Sequence, residues 1–435
     1  MCFADDLLLF CHGNLASVDI LLNSFDVFSK ASGLKMNVGK SNVFLNGVDP
    51  AVQAMLIART GMQLARLPFK YLGVPIATKK LSVLDCAVLV ERVVCRIRAL
   101  GARKLSYGGR LILVQAVLTQ LHNYWARIFL LPKKVLKQID DICRNFLWQG
   151  HSTYEKSPPV AWSKVCKDKA FGGLGIINSE LWNIAAICKY VWWIATKKDH
   201  MWVKWVHNVY IKQKDWWTYQ PPASASWAWK RICWVKDRMR LGFSQNGWGT
   251  GAAYSIQAGY SWLQNDHEKP QWRALVWTRY GMSKHNVIAW LAAQSRLLTR
   301  DRLRRRGVCL ETICVLCEND SESHPHLFFA CGYSRCCLQL VSNWLGIQIP
   351  WHLPLQWWVK WRMRPLLKKH IVGAAICVLI YQIWQARNLS LHEHYMQRPG
   401  VIVQNVKYVV CHRLKCNVSS VMKEKYSDLI RGYMS

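Results

Sequence analysis

An α+β fold is predicted, with short strands and turns confined to about the first 80 residues and a mainly helical chain beyond them that holds one small metal module. Three observations predict it. The opening residues are short apolar runs broken by Asp-Asp, Gly and Pro. From Ser82 to about Gly150 apolar residues recur every three or four positions. Near the middle of the helical part, three thiols and one imidazole fall within 18 residues, Cys314 to Cys331. A chain of 435 residues can hold two to four domains. The expected divisions are 1–80, 81–150, 151–250, 251–345 and 346–435.

In chain order, Phe3-Ala-Asp-Asp-Leu-Leu-Leu-Phe10 places two carboxylates, Asp5 and Asp6, ahead of an apolar run, as at a hairpin turn. Leu15, Val18, Leu22, Phe25 and Phe28 mark an amphipathic helix stopped by Gly33. Lys40 alone reads as a solvated turn residue. Asp49-Pro50 supplies an N-cap and first-turn proline for a short helix. Ser82 and Asp85 make a capping-box-like start to a helix with Val83, Ala87, Val90, Val94 and Ile97 on one stripe. A second helix is expected after Gly108-Gly109. A third, with Val135, Ile139, Ile142 and Phe146, should end at Gly150. Ser157-Pro158-Pro159 marks a boundary, and Gly172-Gly173-Leu174-Gly175 lacks phosphate-loop spacing. Ser179 is expected to cap a helix to about Ala195, while 199–250 is rich in Trp and Lys without clear periodicity. Thr299 is the expected N-cap of a helix bearing Arg300, Arg302, Arg304, Arg305 and Arg306. The tail, 351–435, reads as helical and basic, without carboxylates spaced for a ribonuclease H site. Its apolar run Ile371–Ile383 contains Gln382 and is too short for a bilayer, so a core helix is expected and no membrane partner.

The cysteine cluster has the form C-x2-C-x8-H-x4-C. Two thiolates of a tight turn and a second pair a short loop away complete the tetrahedron that structural Zn²⁺ prefers. The expected ligands are Cys314, Cys317, His326 and Cys331, with His324 the rival for the third position. Buried core residues are the alternative, but core cysteines have no reason to fall at ligand spacing.

The net charge is +33, from 58 Lys+Arg against 25 Asp+Glu, and predicts a polyanionic partner, RNA or DNA. Arginine forks suit phosphates, so the five arginines are candidate contacts; a solvated helix face and a nuclear-import signal are the other readings. Met-Cys-Phe-Ala-Asp-Asp is no secretory signal, which predicts a nuclear or cytoplasmic, non-secreted chain with reduced thiols. The Trp pairs at 192–193, 216–217 and 357–358 read as helix packing before base-stacking platforms.

Cys314-x-x-Cys317 followed by Glu322-Ser323-x-x-His326-Leu327-Phe328-Phe329-x-Cys331 resembles the zinc-binding domain downstream of the polymerase in plant LINE-type (non-LTR) retrotransposon reverse transcriptases. Tyr254-Ser255-Ile256 with Gly259-Tyr260, and Leu297-Leu298-Thr299-Arg300-Asp301-Arg302-Leu303, resemble earlier parts of that domain. Where the family carries Trp after the last ligand, this chain has Leu338. Phe3-Ala-Asp-Asp resembles the family's catalytic turn, which implies that Asp5 and Asp6 are its Mg²⁺ ligands. Ser32-Gly33-Leu34-Lys35-x-Asn37-x-x-Lys40-Ser41 resembles the next motif, which implies that Lys40 lies near nucleotide phosphates. Phe69-Lys70-Tyr71-Leu72-Gly73-Val74-Pro75 looks like the primer-grip hairpin.

The resemblance therefore implies a palm remnant, a helical thumb over 81–150 and the zinc domain. Because the chain opens at the catalytic turn, a truncated reverse transcriptase is expected, a nucleic-acid-binding remnant without polymerase activity of its own. Two alternatives stand: activity in complex with a chain supplying fingers and upstream palm, or a zinc-stabilised protein-interaction scaffold.

Overall fold

The computed structural model describes residues 2–3, 6–76, 80–101, 104–250, 252–265, 268–347, 366–418 and 432. It divides into two compact units, Met1–Asp85 with Pro221–Lys230, and Cys86–Gln220 with Arg231–Ser435.

In the first unit β1 (Cys2–Phe3) pairs antiparallel with β2 (Asp6–Leu7), setting Phe3 opposite Asp6. The predicted stripe forms α1 (Leu15–Ser32), whose first turn is closed by the Asn14 side chain accepting from Ser17 N–H and which ends at left-handed Gly33. β3 (Asn42–Val43) precedes α2 (Pro50–Thr60), where Asp49 is the N-cap as expected, and β4 (Gln63–Leu64) pairs parallel with β3. The hairpin of β5 (Phe69–Tyr71) and β6 (Val74–Ile76) turns through Leu72 and Gly73, both at positive φ. Apolar burial is sparse here. Among the described residues between 7 and 85, Val18, Leu56, Val74 and Leu81 form the buried hydrophobic set, while Phe10, Ile20 and Val27 are exposed.

The second unit is helical. Its elements are α3 (Ala87–Ala99), α4 (Tyr107–Ala116), α5 (Asn123–Ala126), α6 (Lys133–Gln149), α7 (Trp162–Val165), α8 (Ser179–Ala195), α9 (Met201–Val206), α10 (Trp227–Asn246, whose first residues fall in 221–230), α11 (Ile256–Gln264) and α12 (Arg273–Val276). Then follow α13 (Ser283–Ala293), α14 (Arg300–Arg305), α15 (Gly332–Leu345), α16 (Leu366–Glu393) and α17 (Pro399–Asn417). With every named strand in the first unit and helices elsewhere, the architecture is the α+β class expected.

Two helices organise the second unit. One is α8, which packs on α5, α6 and α11. Its buried Asn183 donates to the Ala126 and Phe129 carbonyls at 2.6 and 2.7 Å and accepts from Leu131 N–H at 2.8 Å, closing the chain reversal before α6. Tyr254 donates to the Ala185 carbonyl at 2.6 Å, over a Gly259 whose added Cβ would collide with that hydroxyl. The other is α16, which packs on α12, α13, α15 and α17. By length and composition Leu367–Glu393 could cross a membrane, which corrects the reading of this run as too short. Ile371, Ile376, Leu379 and Ile383 are nonetheless buried in the protein, as a core helix requires.

Several boundaries differ from the sequence reading. Ser82 and Asp85 do exchange reciprocal N–H bonds, at 2.7 and 3.1 Å, but they close a turn, and α3 begins only at Ala87. The buried stripe is Leu89, Val93 and Ile97, while Val83 is exposed. Gly108 and Gly109 lie inside α4, capped by Ser106. The cap of α8 is Asn178; Ser179 instead donates to Asp140 at 2.6 Å. Residues 199–250 contain α9 and all of α10 despite their weak periodicity.

Candidate metal centre

The ligand set is built by a knuckle and a helix start. Ile313 and Ser321 form an antiparallel bridge, and within it Cys314 N–H donates to the Asp320 carbonyl at 2.8 Å while Glu318 N–H donates to the Cys314 carbonyl at 2.8 Å. The backbone N–H groups of Leu316 and Cys317 point at the Cys314 sulfur. His326 opens a one-turn π-helix, His326–Ala330, that ends with Cys331 N–H donating to the His326 carbonyl at 2.7 Å. Cys331 stands at the N-terminus of α15, where the N–H groups of Tyr333 and Ser334 face its sulfur.

These two pieces bring together the four predicted side chains, with ligand atoms all within 4.8 Å of one another. The Cys314 and Cys331 sulfurs are 3.9 Å apart, and Cys317 Sγ is 3.3 Å from His326 Nε2. A tetrahedral ion with Zn–S of about 2.3 Å and Zn–N of about 2.0–2.1 Å has S–S and S–N edges near 3.8 and 3.5 Å, so the donor set fits Zn²⁺. Thiolate character is already favoured at Cys331, whose pKa is lowered first by the Cys314 S–H and then by the backbone N–H groups of α15; its partner Cys314 is correspondingly raised. With Nε2 turned to the cluster, His326 Nδ1 lies 3.9 Å from the exposed Asp320 carboxylate. Bound there, Zn²⁺ would supply a structural cross-link and no open coordination position.

His324 is not in the cluster. Its Nδ1 lies 3.3 Å from Thr299 Oγ1, its ring packs near Phe328, and burial lowers its pKa to about 4. Leu327 and Phe328 are buried beside the ligands, and Leu338 is buried on α15.

The five arginines separate. Arg300 donates to the Ile313 carbonyl at 2.7 Å and pairs with Glu311 at 3.2 Å. Arg302 donates to the Ser295 carbonyl, and Arg305 pairs with Asp301 at 2.5 Å. Arg304 and Arg306 are exposed on α14 and just after it. Thr299 precedes α14 without capping it through its side chain: its hydroxyl donates to Asp301 at 2.5 Å, and Arg300 N–H is taken instead by the Glu322 carboxylate at 2.8 Å. Glu322 was visible only as a motif residue and its partner Arg387 not at all, because the pair spans 65 positions.

Of the residues assigned to the catalytic turn, Asp5 lies outside the described residues, and Asp6 is placed by its backbone in β2. Lys40 is exposed at the end of a 3₁₀ turn whose N-cap, Asn37, accepts Lys40 N–H at 3.2 Å.

The fold and site thus define a helical, basic chain with a closed Cys3His metal module. Residues 254–337 match a family model described as zinc-binding in reverse transcriptase, so the chain carries a reverse-transcriptase zinc-binding region. An Arabidopsis thaliana protein named "Putative ribonuclease H protein At1g65750" is 32% identical over 162 residues, covering 36% of this chain and 26% of that protein. The chain spans about a quarter of that relative's length.

Proposed function

We propose that this chain is part of a plant LINE-type reverse transcriptase and acts as a nucleic-acid-holding module, binding RNA or single-stranded DNA. The observation that carries the reading is the zinc-binding region with Arg304 and Arg306 free of protein partners among the described residues, on a chain of net charge +33. Two guanidiniums fixed beside a rigid metal loop suit phosphates, and counterion release makes such binding strong at low salt. A nuclear or cytoplasmic setting follows from such a partner.

Polymerisation by this chain alone is not part of the proposal. Two-metal phosphoryl transfer needs carboxylates converging from separate strands. Asp5 and Asp6 are adjacent in the sequence, while Asp19 pairs with Arg59 at 2.6 Å, Asp26 with Lys30 at 2.6 Å, and Asp49 caps α2. A second reading, activity restored by a chain supplying the rest of the palm, is favoured by the exposed Phe10, Ile20 and Val27.

The test is RNA binding by the full chain across a salt series. Arg304→Gln with Arg306→Gln should weaken binding and lower the log–log salt slope by roughly 1.4 for a single strand. An unchanged slope returns these arginines to a solvated face, and no binding at any salt ends the proposal. Mg²⁺-dependent primer extension that needs an added chain carrying the upstream palm and is abolished by Asp5→Asn would establish the second reading instead.

A further inference from the structure

A basic cleft of about 550 Å³ lies away from the metal module, lined by Lys197, Lys198, Lys204, His207, Asn208 and Lys212 together with Val203 and Gln213. We infer that this cleft is a second binding site, for consecutive phosphates of a nucleic-acid strand. The inference rests on the nucleic-acid reading above and gives it a location.

Two of the four lysines stand where the backbone resists them. Lys198 N–H donates to the Trp193 carbonyl at 3.0 Å, the closing bond of a helix C-terminal motif whose preceding position takes glycine by preference. That position is Lys197, at φ +47. Lys212 follows a one-turn π-helix, His207–Ile211, and sits at φ +55 and ψ −121, again a conformation that glycine adopts without strain. Two sites that favour glycine thus carry long cationic side chains that line one cleft. π-Helical turns concentrate at functional sites, and this one presents Asn208 to the same cleft.

The charge balance favours an anion. Among the described residues, only Lys204 of the lining lysines has a carboxylate partner, Asp199 at 2.7 Å, and both are exposed. Lys198 also lies over the Trp193 ring at 5.1 Å, a contact that leaves its charge uncompensated. Lysine ammoniums bind phosphate as point charges without the geometric demand of a fork, which suits a strand held by its backbone and not by its sequence.

The experiment uses the full chain and a fluorescein-labelled oligouridylate, read by anisotropy across a salt series. Lys197→Gln, Lys198→Gln and Lys212→Gln together should lower the log–log salt slope by roughly 2, from three lost contacts. All three side chains are exposed, so melting should stay unchanged. A second variant separates function from structure: Lys197→Gly with Lys212→Gly should raise the melting temperature by relieving both backbones and still weaken the strand. If the wild type binds and both variants bind with its affinity and slope, the cleft assignment is overturned while the broader reading stands. If the wild type binds no strand, both fall. Tripolyphosphate that displaces the strand at equimolar concentration would make this a small-anion site and overturn the strand assignment.

Discussion

Arg387 and Glu322 form a buried, forked ion pair, with Nη2 to Oε1 at 2.8 Å and Nε to the two carboxylate oxygens at 3.1 and 3.2 Å. Neither side chain is more than 2% exposed. The same carboxylate takes Arg300 N–H, so one acid joins α16, the metal loop and the start of the arginine helix.

Removing one partner leaves the other charge buried, which typically costs about 3–5 kcal/mol. Arg387→Met should therefore destabilise by about that amount in denaturant unfolding. Adding Glu322→Gln should recover part of the loss, because a neutral amide still accepts from Arg300 N–H. A double variant no more stable than the single one would show that the pair is not the source of the effect.

Metal removal should act on the same region. Zinc-finger peptides gain on the order of 10–16 kcal/mol from their metal at neutral pH. Purified protein should hold one Zn²⁺ by elemental analysis, and Cys317→Ser or chelation should open residues 300–345 to proteolysis. Full metal content in Cys317→Ser would remove that residue from the ligand set.

Two adjacent glycines should respond with opposite signs. A Cβ on Gly108 would stand 2.3 and 2.4 Å from the backbone of Lys284 and Ser283, so Gly108→Ala must push α4 from α13, at a cost of about 1–3 kcal/mol or more. On Gly109 the nearest atom is Leu105 Cβ at 3.5 Å, and Gly109→Ala should gain up to about 1 kcal/mol of helix propensity. Thermal melts of the two variants check the contrast.

Acid should destabilise the second unit through His122 and His285. Burial lowers both to about 4 from 6.5, aided at His285 by Lys284 and Arg413, and neither imidazole has a hydrogen-bond partner among the described residues. A depressed native pKa means that the unfolded chain binds the proton first. The stability is therefore complete above pH 6.5 and is lost as pH falls towards 4, by at most roughly 3 kcal/mol per residue. Stability measured along that interval should flatten in His122→Leu, and an unchanged slope would assign the acid sensitivity elsewhere.

The sequence disclosed features whose cause is local. The stripes of α1 and α6 and their glycine stops follow from neighbouring residues, as do the ligands Cys314, Cys317, His326 and Cys331, which need only one short loop to meet. Burial is a different matter. α1 forms as expected, yet only Val18 on it is buried, since burial depends on what packs against the stripe. Likewise α3 has two apolar stripes, and it packs on α6 with the one carrying Leu89 and Val93 buried. The five arginines are equivalent in sequence; their division into anchored and free groups depends on carbonyls at Ser295 and Ile313. Lys197 and Lys212 gave no periodic signal, because their placement depends on two positive-φ positions.

The pairing of Glu322 with Arg387 also bears on the order in which the chain assembles. Cys314 and Cys331 are 17 positions apart, whereas Glu322 and Arg387 are separated by 65. Closing the longer loop costs about 1 kcal/mol more in chain entropy, and during synthesis its far end emerges from the ribosome later. The metal loop can therefore close while Glu322 still lacks its counter-charge. Until α16 arrives, a carboxylate destined for burial must remain hydrated, which holds the module in a loosened form that docking of α16 then dries and locks.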